Sequence, residues 1–217
     1  RNLYYPDRVT IPASVTDIEE GAFSEYRGKA ILVEEGSSSY KSYGGLLYSA
    51  DGSLLLGIPG NPDYAEMKET EGLLERVYSW EEGVAPEGAD ADAYYYRLTL
   101  PEGTVRIAKE AGLYLSAGDS AGILLQCPSS LREIGKKAFF NANLSGLALN
   151  DGLVTIGANA FERTNLVSLD LPDSVETIEQ YAFHAIGGLD RLELPASLEK
   201  VDFMCFGVNM LDIKNLE

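Results

Sequence analysis

Ser130-Leu131-Arg132-Glu133-Ile134-Gly135-Lys136-Lys137-Ala138-Phe139 holds a pair, an isoleucine and a phenylalanine five residues later, that returns along the chain. The copies are Ile18 and Phe23, Ile156 and Phe161, Ile178 and Phe183, and Val201 and Phe206, and the last four phenylalanines are spaced by 22, 22 and 23 residues. After three of these phenylalanines, apolar residues fall at offsets five, eight and ten: Leu144, Leu147 and Leu149, then Leu166, Leu169 and Leu171, then, one residue late, Leu189, Leu192 and Leu194; after Phe23, Ile31 and Val33 keep the last two offsets while Gly28 takes the first. This L-x-x-L-x-L spacing predicts a short strand. Six residues before the anchors stands a proline, at Pro12, Pro101, Pro128, Pro172 and Pro195, with Asn150 in the remaining unit. Proline cannot donate to a strand ladder, so each one closes a strand.

A unit this short cannot bury its own apolar side chains and must stack on copies of itself. The pattern therefore predicts a solenoid with parallel strands about 4.8 Å apart on one face. The Ala-Phe pairs pack the opposite side, and helices are limited to single turns. About seven units form one domain over residues 1–217. Ile107 stands six residues after Pro101, but Gly112 replaces the phenylalanine and five extra residues follow; Gly72 to Val77 is a worn copy, followed by a strand ending at Leu100. Two stretches depart from the rhythm. Residues 37–60 contain Asp51-Gly52 between apolar runs, a hairpin insert. Residues 61–97 are irregular, with a short helix expected near Asp63 to Glu69 because Pro62 and an acidic first turn suit a helix start.

Ile11-Pro12-Ala13-Ser14-Val15-Thr16-Asp17-Ile18 and Leu171-Pro172-Asp173-Ser174-Val175-Glu176-Thr177-Ile178, with the stretch quoted first, resemble the BspA-type leucine-rich repeats of bacterial and protist surface proteins, whose unit reads I-P-x-S-V-x-x-I-G-x-x-A-F. Tyr40 to Pro59 is similar to an insert of the same family. The resemblance implies a leucine-rich-repeat solenoid with a parallel sheet on one face, in a secreted or surface-anchored bacterial protein. It further implies a noncatalytic role without cofactors, in a family that includes adhesins for host matrix proteins or other microbes.

Charge narrows the partners. With 17 basic against 34 acidic residues the chain carries −17 and repels phosphate backbones and anionic lipid, so neither nucleic acid nor a membrane surface is an expected partner. Its longest apolar runs fall far short of the roughly 20 residues needed to span a bilayer. Two cysteines, Cys127 and Cys205, occupy small apolar positions three repeats apart, too far for a disulfide. The acidic clusters lack the ligand spacing of a calcium loop and read as solvated surface.

Three groups of residues are candidates for function. Gly118-Asp119-Ser120-Ala121-Gly122 fits G-x-S-x-G, which would make Ser120 a hydrolase nucleophile. The only histidine, His184, lies downstream, and the strand pattern Ile123, Leu125, Cys127 follows where an elbow needs a helix, so a glycine-rich loop is the better account. Tyr94, Tyr96 and Trp80 form an aromatic group suited to glycan recognition, with Tyr95 expected inward at offset five. The third candidate is the outward face of the strands. Alternation places offsets seven and nine toward solvent, giving Leu124, Gln126, Gly146, Ala148, Ser168, Asp170, Arg191 and Glu193. The centre of this face is nearly uncharged on a strongly acidic chain, as the core of an interface is. A monomer that binds a protein partner there is the leading expectation, with a carbohydrate-binding module as the alternative.

Overall fold

The computed structural model describes residues 5–78, 93–166, 168–186, 192–202, 204–207 and 213–214. Strands and turns make up nearly all of it. In chain order the elements are β1 (Arg8–Ile11), β2 (Ala30–Val33), β3 (Tyr40–Tyr43), β4 (Leu46–Ser49), β5 (Leu54–Gly57), α1 (Tyr64–Met67), β6 (Leu74–Tyr78), β7 (Tyr94–Thr99), β8 (Arg106–Ile107), β9 (Ile123–Gln126), β10 (Glu133–Ile134), β11 (Leu144–Ala148), β12 (Thr155–Ile156), β13 (Thr177–Ile178), β14 (Leu192–Glu193), β15 (Lys200–Val201) and β16 (Ile213–Lys214). The single helical turn α1 starts where Asp63 accepts the Glu66 N–H, a capping bond that satisfies an otherwise orphaned donor.

The leucine strands form a sheet in the order β11-β9-β7-β6, parallel except for the antiparallel pair β6–β7, with β14–β16 and β1–β2 as separate parallel pairs. Residues 166–171 carry no strand among those described, although Leu166 and Leu169 are buried and the Asn165 N–H donates to the Leu144 carbonyl. A strand in every unit was expected, so the ladder is thinner than the leucine spacing suggests. In the C-terminal pair Ile213 aligns with the buried Leu192, and Lys214 with Glu193.

A second ladder runs through the anchors themselves. Leu55, Ile107, Ile134, Ile156, Ile178 and Val201 pair in register on β5, β8, β10, β12, β13 and β15, and β3 and β4 extend this sheet as an antiparallel hairpin. Most of these strands are two residues long, too short for a period-two pattern to announce them.

Hydrogen bonds and rings account for the remaining corners of each unit. The carbonyl of each repeat proline, and of Asn150 in its place, accepts an N–H from three residues on: Pro12 from Val15, Pro101 from Thr104, Pro128 from Leu131, Asn150 from Leu153, Pro172 from Val175 and Pro195 from Leu198. The serine two residues after proline ties one unit to the previous one, as Ser130 donates to Thr104 O, Ser174 to Leu153 O and Ser197 to Val175 O. In the Ala-Phe turns, alternate peptides donate along the solenoid: Lys137, Phe139 and Asn141 to Ala158, Ala160 and Glu162, each at 2.8 Å, and Asn159, Phe161 and Arg163 to the next unit in the same way. The residues two before and two after each ring hold left-handed backbone, with φ of 55 and 53 at Lys137 and Asn141 and 59 at both Asn159 and Arg163. Side chains other than glycine resist that region. The ladder bonds offset the strain.

Inside the turns, Phe139, Phe161, Phe183 and Phe206 stack in one row with centroids 5.7, 5.3 and 5.7 Å apart. One continuous apolar cluster runs from Ile11 to Phe206. The first unit is clamped to it by an ion pair between Glu20 and Arg106, by the Lys109 N–H on Glu20 at 3.0 Å, and by Arg27 donating to the Leu113 carbonyl at 3.2 Å. The Arg106 hydrogen bond holds the Glu20 carboxyl below the usual glutamate range.

Candidate recognition surface

The outward face of β6, β7, β9 and β11 is set by strand register. Tyr96 pairs with Ile123, Arg97 with Leu124, Leu98 with Leu125 and Thr99 with Gln126; on the far side Leu144 pairs with Ile123, Gly146 with Leu124, Leu147 with Leu125 and Ala148 with Gln126. Between Leu144 and Gly146 the register shifts by one residue. That bulge at Ser145 is how L-x-x-L fits a strand whose faces alternate strictly. β7 has no bulge, so its alternation runs straight through.

The tyrosine assignment is therefore reversed. Tyr96, expected at the surface, is 6% exposed and faces the main core, stacked on Tyr64 at 4.3 Å. Tyr95, expected inside, is on the opposite face with Val77 and Leu124 in a small apolar cluster separate from the main core. Leu124 is also corrected: it points outward as strand alternation requires, but at 8% exposure it is covered by these neighbours. Gly146 lies beside it, where a Cβ would stand 2.8 Å from Leu124 Cδ2. Val77, read from sequence as the end of a worn repeat copy, is not an anchor: it lies on β6, antiparallel to β7 and opposite Tyr95, outside the anchor ladder.

Next to this cluster is a depression of about 240 Å³, lined by Arg97, Leu124, Gln126, Gly146, Ala148 and Ser168 with the backbone of Leu125 and Leu147 beneath. Gln126, Ala148 and Ser168 are exposed. Arg97 donates to Glu75 at 2.6 Å, which neutralises the one cation among the described residues that line the depression. Asp170 and Glu193 are exposed farther along the solenoid. Arg191 and Trp80 lie outside the described residues.

Tyr94 is half-buried, with the Arg76 guanidinium 3.6 Å from its ring centre and the Tyr96 ring against it edge to face at 5.5 Å. Its hydroxyl bonds Asp119, which raises the phenol above its usual range and holds the Asp119 carboxyl down. The expected aromatic platform is thus largely spent on internal contacts.

The Ser120 hydroxyl donates to the loop carbonyls of Ala117 at 2.8 Å and Gly122 at 3.1 Å. His184 lies instead near Glu162 at 3.5 Å and against the Tyr181 ring at 5.1 Å, so the chain's histidine is not placed as a base for the serine. Both cysteines are free and buried; burial pushes the thiol of Cys127 up to about 12 and that of Cys205 to about 11. Among the described residues no three His, Cys, Asp or Glu side chains are grouped to hold a metal ion. None of the described helices is long and apolar enough to cross a membrane.

Comparison with known proteins agrees with this architecture. Residues 123–217 match the model of the BspA type leucine rich repeat region, in six copies. A leucine rich cell surface protein from Faecalibacterium prausnitzii A2-165 superposes with a TM-score of 0.63 at 24% identity, over 88% of this chain and 42% of that one. The pneumococcal vaccine antigen PcpA gives 0.47 at 24% identity, over 90% of this chain and 35% of that one. The chain spans less than half the length of either protein. Among curated proteins nothing matches it.

Proposed function

Because its residues 123–217 are BspA-type leucine-rich repeats, we propose that this chain is a noncatalytic protein-interaction module of a secreted or cell-surface bacterial protein, and that its partner docks on the outer face of the β11-β9-β7-β6 sheet. The observation that carries this reading is the depression lined by Arg97, Leu124, Gln126, Ala148 and Ser168, a concave and nearly neutral surface on a chain of charge −17. Charge is depleted at the centre of interfaces, where desolvating it is costly, and aromatic side chains are enriched there. The printed name of the Faecalibacterium protein, a cell surface protein, is consistent with the location.

The test is an array of purified extracellular-matrix and microbial surface proteins probed with the chain and with the Ala148→Arg/Ser168→Arg variant. Both side chains are exposed, so stability should stay within about 0.5 kcal/mol of the parent. A protein ligand bound by the parent should be lost by the variant. Undiminished binding by the folded variant would remove the partner from this face.

A further inference from the structure

Three cations gather on two aromatic rings at the Ala-Phe turns, away from the sheet. Phe140 and Tyr114 meet edge to face at 5.8 Å. The Arg27 guanidinium carbon lies 4.3 Å from the centre of the Tyr114 ring, while Lys137 Nζ and the Arg163 guanidinium carbon lie 5.7 and 5.9 Å from that of Phe140. Backbone geometry creates the grouping, because Tyr114, Lys137 and Arg163 occupy the left-handed positions of successive turns, with φ of 58, 55 and 59, and none of them is buried. Both rings are half-buried.

These cations are only partly neutralised. Arg27 lies 3.8 Å from Glu25, and Arg163 Nε 3.9 Å from Glu162, both at the loose limit of an ion pair. Among the described residues no carboxylate comes within 4.0 Å of Lys137. Three of only 17 cations thus gather around two aromatic rings on a chain of net −17. A cation resting on a ring keeps donors for a second partner, and a guanidinium matches a carboxylate geometrically. The rings offer apolar surface to whatever the cations hold.

We infer that this cluster binds a terminal acidic sugar, a pyranose bearing one carboxylate at the end of a glycan. The carboxylate takes charge-assisted bonds from Lys137 and Arg163, and C–H groups of the sugar pack against the half-buried Phe140 ring. A long polyanion does not fit. Glu25 and Glu162 border the cluster, and charge of the same sign as the ligand's covers the rest of the chain. The site is on the turns rather than the sheet, so it stands apart from the proposed protein-docking face.

The experiment is titration of the chain, at low salt, with 6′-sialyllactose, with a glucuronate-terminated disaccharide, with neutral lactose and with heparin, followed by amide chemical shifts. Saturable binding of either acidic sugar but not of lactose is expected, and whichever acid binds identifies the sugar. Lys137→Gln/Arg163→Gln should weaken it about tenfold or more with an unchanged thermal midpoint, while Ala148→Arg/Ser168→Arg should leave it intact. Acidic sugars that bind no better than lactose, a double variant that binds as well as the parent, or heparin binding that the double variant loses would each overturn the assignment.

Discussion

Replacing Phe161 by alanine removes a ring that is fully buried and stacked on two others, Phe139 at 5.7 Å and Phe183 at 5.3 Å. A buried Phe→Ala substitution costs about 3–5 kcal/mol, and each aromatic pair contributes about 0.5–1.5 kcal/mol beyond burial, so two lost pairs place Phe161 near the top of that range. Phe206 ends the described row. It is 6% exposed and stacks on Phe183 alone at 5.7 Å, so Phe206→Ala should cost about 1 kcal/mol less by the same pairwise measure. In a solenoid, stability is nearly a sum over neighbouring units, and Phe161 belongs to two such contacts where Phe206 has one. Urea unfolding followed by circular dichroism measures both variants. A chain of this size loses about 2–4 °C per kcal/mol, so the thermal midpoint of Phe161→Ala should fall by roughly 10–20 °C. The interior variant should also broaden the transition as the two sides uncouple. If Phe161→Ala proves no more damaging than Phe206→Ala, the rings are not a shared spine and the additive picture fails.

Further outcomes follow from the same geometry. Gly157→Ala should destabilise by about 1–3 kcal/mol in a urea titration, because the new Cβ would sit 2.8 Å from the Ile134 carbonyl oxygen and the Gly135 backbone of the preceding unit, which cannot move aside. Acid should loosen the first unit: the folded value of Glu20 is depressed by Arg106, so its contribution is complete above the ordinary glutamate value of about 4.3 and disappears as pH falls through the lower folded value. Between pH 6 and 3 the parent should therefore lose more thermal stability than Glu20→Gln, and equal losses would show that the clamp contributes nothing. Cys127 should resist a thiol reagent in the native chain and react only on global unfolding, whereas Cys205, near the end of the ring row, should react earlier through local opening.

What could be read from residues alone was whatever repeats at a long period. The Ile-to-Phe spacing located the anchors and the ring row, Pro marked the turns, and Asp63 before an acidic turn located α1. What stayed hidden was local register. The spacing L-x-x-L in Leu144 to Leu147 looks the same whether a strand carries a bulge or not, and carrying that offset to the unbulged β7 exchanged Tyr95 for Tyr96. Leu124 was placed on the correct side of β9, but its burial depends on Val77, which reaches it through a hairpin partner with no repeat of its own. The anchor ladder escaped notice for a different reason: two paired residues per unit leave no alternation to detect.

Stability and recognition occupy different positions of each unit, and this separation follows from how the backbone is satisfied. The ladders at the anchors, strands and Ala-Phe turns, together with the ring row, use main-chain groups and inward side chains, so the fold asks little of positions such as Ala148, Ser168, Lys137 or Arg163 beyond fitting their turn. Those positions are free to carry whatever a partner requires. Leu124 and Tyr95 are different, because they bury apolar surface on the solvent side of a sheet whose main core lies on the other face, and the described chain needs neither for that core. Val77, Tyr95 and Leu124 are 4, 4 and 8% exposed, so this second cluster is already covered by the chain and stands beside the depression as packed structure, not as open apolar surface. Of the cations on Phe140 and Tyr114, Arg27 also holds the first unit through the Leu113 carbonyl, so the proposed sugar site rests on Lys137 and Arg163. The proposed protein face lies on the sheet and the proposed sugar site on the turns, so a variant of one leaves the other in place and the two readings are tested separately.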